Sequence, residues 1–211
     1  MHSPHEMTGR EMAKQVQRAE AEAASWLATE VARLEAELAA MRGRVAELEA
    51  HVEHDPLTGV LNRRGFEREL RRASAYLERY GGAAALIYLD LDGLKPVNDH
   101  HGHAAGDAIL RSVAATLVGA VRASDSVARL GGDEFAVLLW NLSVQAASTK
   151  AAALEERIAA ANVVWGDERL TVGASAGAAV LSAGDDVAQI IARADAAMYV
   201  RKRERRGPMG S

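Results

Sequence analysis

The chain has 211 residues, room for one globular domain plus an extension. Hydrophobic residues make up 49% and charged residues 26%, the balance of a chain that folds around a core, and a formal net charge of -4 supplies no general basic field for nucleic acid or acidic lipid, so an anionic ligand must be met by a local cluster. The absence of cysteine excludes disulfides, thiolate metal sites and thiol nucleophiles together, which suits a reducing cytoplasm. No apolar run approaches the ~20 residues of a membrane helix, and the polar start lacks the basic and apolar regions of a signal peptide, so a cytoplasmic location without membrane insertion is expected.

Residues 1–10 and 207–211 read as loose ends outside the fold. From 11 to 54 there is no proline and only Gly43, while Ala, Glu, Arg and Leu dominate, which predicts a long helix. From Leu27 on, its large apolar residues are Leu27, Val31, Leu34, Leu38, Met41, Val45, Leu48 and Val52, spaced alternately by four and three. That is a heptad seam, with Val31, Leu38, Val45 and Val52 at a and Leu27, Leu34, Met41 and Leu48 at d, a combination favouring two parallel strands. In such a pair Glu37 meets Arg42 of the second copy and Arg44 meets Glu49, while Glu30 faces Glu35 unfavourably. A surface helix packed on its own domain is the bland alternative, and it usually carries a wider apolar stripe. Upstream the seam decays through Ala24, Glu20 and Gln17.

A boundary falls near residue 55, where Asp55-Pro56-Leu57-Thr58-Gly59 supplies a proline that cannot extend the preceding helix. Asn62-Arg63-Arg64-Gly65-Phe66 leads into a helix ended by Gly81-Gly82. Ala83 to Leu91 reads as a buried central strand, with Leu86, Tyr88 and Asp90 on one face and Ile87, Leu89 and Leu91 on the other. It closes in Asp90-Leu91-Asp92-Gly93, two carboxylates on one face at a strand end. A polar, His-containing loop follows, then a helix over 104–121. Ser126 to Leu130 and Phe135 to Trp140 form a predicted hairpin whose tip carries Asp133 and Glu134. Residues 143–161 read as helix, 170–181 as strand and 187–204 as helix. The order predicts an α/β domain over 55–206, a central sheet with helices packed on it.

Taken singly, Asp-Gly and Gly-Gly-Asp are ordinary turn chemistry. A calcium loop at Asp90 needs an oxygen ligand where Leu94 stands and a glycine where Lys95 stands, and the cluster of His100, His101 and His103 lacks the spacing of a zinc site. Together, however, the segments Asp55 to Gly59 with Asn62-Arg63, Asp90 to Asp99, Gly102-His103-Ala104-Ala105-Gly106-Asp107, Arg122-Ala123-Ser124-Asp125, Gly131-Gly132-Asp133-Glu134-Phe135 and Ala194-Asp195 to Lys202 resemble the GGDEF family of diguanylate cyclases in order and spacing.

The resemblance implies a fold akin to class III nucleotidyl cyclases and polymerase palms, and the condensation of two GTP into cyclic di-GMP across a homodimer. It implies magnesium or manganese held by Asp90, the Leu91 carbonyl and Asp133, with Glu134 either assisting proton removal or meeting a second metal. Lys95 would offset charge on the phosphates, Lys202 and Arg206 would grip the triphosphate, and Asn98, Asp107 and His103 would line the guanine pocket, with Arg129 a further substrate contact. Arg122 and Asp125 match the family's product-binding RxxD site, for which a surface ion pair is the plain alternative. Leu94 stands where the family often has Phe, Pro96 follows the lysine, and Arg205 replaces a common Gly. A catalytically silent receptor for GTP or cyclic di-GMP is the rival reading, and a scaffold displaying its zipper a third. The input signal, and any partner of the amino-terminal helix, leave no trace in these residues.

Overall fold

The computed structural model describes residues 9–51 and 53–206, and the chain divides between His51 and Val52 into two compact units. The first is a single helix, α1 (Gly9–His51). It continues upstream of Leu27, through the stretch where the heptad seam decays. Leu27, Val31, Leu34, Leu38 and Met41 are all about half exposed or more, so the seam has no cover within this unit, and Trp26 beside it is 65% exposed. Arg33 bridges Glu30 at 2.5 Å and Glu37 at 2.6 Å along the helix, pairs spaced three and four residues apart that support it locally. Val52 and the side chains of Val45, Leu48 and Glu49 lie outside the described residues, as do residues 1–8 and 207–211.

In the second unit Glu53 and His54 leave the helical course and join the sheet edge: the Asn62 amide donates to the Glu53 carbonyl at 2.8 Å, and His54 bridges Leu61. Strand β1 (Leu61–Asn62) runs directly into α2 (Arg63–Tyr80), capped by Asn62, whose side chain accepts from the Gly65 amide at 3.0 Å. Gly65 lies against the Glu53 carbonyl so closely that an added Cβ would sit 2.4 Å from it, which excludes any larger residue there. Then come β2 (Ala84–Asp92), α3 (Leu94–His101), α4 (His103–Gly119), β3 (Ser126–Gly131), β4 (Glu134–Trp140), α5 (Val144–Ala160), β5 (Val163–Trp165), β6 (Glu168–Leu170), β7 (Gly173–Leu181) and α6 (Val187–Arg206).

The main sheet has the order β1-β3-β4-β2-β7, with β1 parallel to β3 and the other neighbours antiparallel. Helices cover both faces. Ile87, Leu89 and Leu91 of β2 pack with α4 and α5 in one core, while Leu86 and Tyr88 pack with α2 and α6 in another. This explains the nearly continuous apolar run of β2, a strand buried on both sides.

Two expectations need correction. The polar stretch after Gly93 is helix α3 and not a loop: Pro96 falls in its first turn, where a missing N–H leaves no intrahelical bond unmade, and Leu94 and Val97 bury one face. A short hairpin, β5–β6, precedes β7, turning at Gly166 with φ +59°, where the sequence reading has one longer strand from Leu170. Three-residue strands carry too little alternation to stand out.

Candidate active site

The site is assembled at the end of β2. Strand pairing sets Asp90 opposite Glu134, so both side chains leave the same face of the sheet, and the Leu91 amide donates to the Asp133 carbonyl at 3.1 Å. The hairpin tip of β3–β4 is thereby fastened beside the Asp90-Leu91-Asp92 turn. Two separate acidic segments become neighbours through main-chain hydrogen bonds. Asp90, Asp92, Asp133 and Glu134 are all only partly exposed. The far side of the tip is fixed by Arg129, which donates to the Gly132 carbonyl at 2.7 Å and pairs with Asp55 at 3.3 Å. Burial pushes the Asp55 carboxyl up, but Thr58, bonding through both amide and hydroxyl, and Arg129 hold it below its usual value.

Lys202 of α6 donates to the Asp90 carboxylate and lies 3.9 Å from that of Asp92, whose other oxygen accepts from the buried Ser175 hydroxyl at 2.8 Å. A cationic group is thus already held by this carboxylate pair, and the surrounding donors are hard oxygens. Hard oxygens are the donors a magnesium-like ion takes, but among the described residues no three carboxylate or imidazole side chains converge, so main-chain carbonyls would have to complete the set. Glu134 faces Arg63 at 3.6 Å and the buried phenol of Tyr88. Burial, then the hydrogen bond to Glu134, push the Tyr88 phenol far above its usual value, so it remains a donor.

The base-reading candidates gather between α3 and α4. Asn98 and Asp107 are half-buried, while His103 and Lys95 are exposed. Asn98 Oδ1 is a buried acceptor with no hydrogen-bond partner. It rests on Gly106, where an added Cβ would stand 1.9 Å away. A glycine is therefore required at 106 to seat the amide, whose oxygen is a buried acceptor left unpaired among the described residues. The side chain of Arg206 lies outside the described residues.

Arg122 and Asp125 stand apart, on the opposite side of β3 from its tip. Asp125 accepts from the Arg122 amide at 2.9 Å and the Trp140 amide at 3.1 Å, making it the cap of its own turn, and the Arg122 side chain is exposed. Both border a cleft of about 840 Å³ that Lys150 and Arg157 of α5 also line. The sequence reading missed these two bases, although their seven-residue spacing sets them on one helix face. It missed Tyr88 and Arg63 as neighbours of Glu134 as well, because nothing local announces a contact made across strands.

Comparison with known proteins agrees with this geometry. Residues 52–208 match the family described as diguanylate cyclase, GGDEF domain, and the chain belongs to that family. It is 37% identical over 167 residues to the probable diguanylate cyclase DgcE of Escherichia coli, and 37% identical over 179 residues to the diguanylate cyclase TpbB of Pseudomonas aeruginosa. These matches cover 79% and 82% of this chain but 15% and 40% of those proteins. Among solved structures it resembles the coiled coil and GGDEF domain of DgcB from Caulobacter crescentus in complex with c-di-GMP, with TM-score 0.68, 28% identity, 84% of this chain and 95% of that one. It also resembles the diguanylate cyclase SiaD of Pseudomonas aeruginosa in complex with its activator SiaC, with TM-score 0.69 and 31% identity, over 92% of this chain and 75% of that one.

Proposed function

We propose that this chain is a diguanylate cyclase that joins two GTP molecules into cyclic di-GMP across a homodimer. In each of two equivalent steps the 3'-hydroxyl oxygen of one GTP bonds to the α-phosphorus of the other, the α–β phosphoanhydride bond breaks, and pyrophosphate leaves with the electron pair. The hydroxyl proton passes to solvent or to a carboxylate. The observation that carries this reading is the register that sets Asp90 across from Glu134 and ties Leu91 to Asp133, which brings the two acidic segments side by side at one strand end.

Asp90, the Leu91 carbonyl and Asp133 would hold the divalent cation, magnesium or manganese, which neutralises phosphate oxygens and acidifies the attacking hydroxyl. Lys202, freed from Asp90 as that cation enters, would turn its ammonium to the triphosphate, with Arg206 and Lys95 adding positive charge. Glu134, held between Tyr88 and Arg63, would lie by the ribose hydroxyl. Asn98 Oδ1 and Asp107 present acceptors to the N1 and N2 donors of guanine, which adenine lacks, so GTP is favoured over ATP, with His103 at the rim. The deciding experiment incubates the purified chain with GTP and magnesium and separates the products by chromatography. Cyclic di-GMP is expected, and a folded, nucleotide-bound protein that forms none would overturn the reading.

Asn98 gives a separate test. Asn98→Ala removes a buried acceptor that has no partner in the free protein, so the melting temperature should stay level or rise, whereas GTP affinity should drop about tenfold because a ligand donor loses its acceptor. A lower melting point with unchanged affinity would mean that the amide serves only the fold.

The cleft beside Arg122 supports feedback by the product, since Arg122, Lys150 and Arg157 form a basic cluster suited to a phosphodiester. Arg122→Ala should retain basal turnover and raise the cyclic di-GMP concentration needed for half inhibition by about tenfold or more. Unchanged inhibition removes Arg122 from that site.

A further inference from the structure

Outside the acidic cluster, the described residues hold one buried carboxylate that the proposed reaction does not use. Glu155 of α5 is 6% exposed. Its Oε1 accepts from the Ala176 amide at 2.8 Å, and its Oε2 lies 3.3 Å from Arg201 and 3.9 Å from Arg205 of α6. Arg205 also donates to the Ala174 carbonyl. Ala174 and Ala176 belong to β7, the last strand of the sheet, so Glu155 and Arg205 satisfy the outward backbone groups of an edge that no strand covers.

The same residues fix the end of α6. Its body crosses β7 at Gly177, where an added Cβ would come within 2.0 Å of the Met198 amide nitrogen, but that crossing holds only the middle of the helix. The last turn carries Lys202, and last turns fray unless something binds them. Arg201 and Arg205 are four residues apart, hence on one face, and they turn toward Glu155 while Lys202 turns toward Asp90 and Asp92.

We infer that Glu155 is a positioning residue: through Arg201 and Arg205 it pins the last turn of α6 to β7 and thereby aims Lys202 at the Asp90 site. The inference rests on the cyclase reading for what Lys202 grips, a nucleoside triphosphate, but not on turnover. Burying a carboxylate for this purpose is unfavourable unless it is fully paired, which its three partners achieve.

The test measures binding of a non-hydrolysable fluorescent GTP analogue to the full chain and to Glu155→Gln, each with Lys202 and with Lys202→Ala. Glutamine retains an oxygen for the Ala176 amide and loses the charge that holds the two arginines. With Lys202 present, Glu155→Gln should weaken analogue binding about tenfold, the order of one weakened charge-assisted phosphate contact. In the Lys202→Ala background it should weaken binding less than about twofold, since the group being aimed is gone. Arg205→Ala should shift affinity in the same direction and by a smaller factor. Equal losses in both backgrounds, or no loss in either, overturn the assignment, because a merely structural residue does not couple to Lys202. Coupled losses in a chain that makes no cyclic di-GMP uphold the positioning role and defeat the cyclase reading alone. A parent chain that binds no analogue defeats both.

Discussion

Asp90→Asn should lower cyclic di-GMP formation on the order of a thousandfold or more while leaving the domain folded. The substitution preserves the size of the side chain and removes one negative charge from the end of β2, where Asp90 pairs with Lys202 and faces Glu134 across the sheet. In the free protein the loss is one charge of an ion pair whose side chains are less than a fifth exposed, but an asparagine oxygen still accepts from Lys202 and Asp92 lies nearby, so the melting temperature should fall while the domain stays folded. In the proposed reaction the loss would be a cation ligand, and both the attacking hydroxyl and the phosphate charge would depend on that cation. Rate and stability therefore separate. The check is turnover at saturating GTP and magnesium alongside a thermal melt. A variant retaining more than about a tenth of parental turnover would move the cation site away from Asp90, and a collapsed melting curve would make the residue a structural one.

The parts of this site differ in how far they could be read from the chain. The alternation of Leu86, Tyr88 and Asp90 against Ile87, Leu89 and Leu91 is local, and it told correctly which residues enter which of the two cores. The hairpin around Gly132 is local too, since the two strands are joined by a two-residue turn. The pairing of Lys202 with Asp90 spans 112 residues, and only the family resemblance pointed to Lys202 at all. Glu155 was illegible for a different reason. In Leu154-Glu155-Glu156-Arg157 it reads as one more charge on a solvated helix face, and only the packing of α5 on β7 buries it while Glu156 stays exposed. Helix α3 was hidden by Pro96, because a proline argues against helix everywhere except in the first turn, and the start of that turn at Leu94 has no side-chain cap to announce it. Asn98 shows the limit from the other direction: its candidacy came from family position, but the physical reason for Gly106 appears only when the amide is seen lying against it.

Breaking the proposed amino-terminal zipper should have the second large effect. Leu34 and Leu38 occupy successive d and a positions, each is about half exposed on an isolated α1, and nothing else in that unit covers them. Among the described ion pairs of α1, Glu30 and Glu37 bond to Arg33 of the same helix, so what remains to hold two copies together is chiefly the apolar seam. On the proposed mechanism each domain would contribute one GTP, and the phosphodiester bond would need a second site facing it. A short tether keeps that second domain at roughly 1 mM, so at about 10 µM of untethered protein the population of facing pairs falls about a hundredfold. Replacing Leu34 and Leu38 together by Glu should yield monomers in sedimentation and reduce turnover per chain by about that factor. The form of the dependence is more telling than the size: specific activity of the parent should be independent of protein concentration, while that of the double variant should climb in proportion to it, as a second-order encounter requires. Glutamates at these two positions leave residues 53–206 unaltered, so the domain's melting temperature serves as the internal control. A monomeric double variant with full, concentration-independent turnover would mean that one domain completes the reaction unaided, and α1 would then need another purpose.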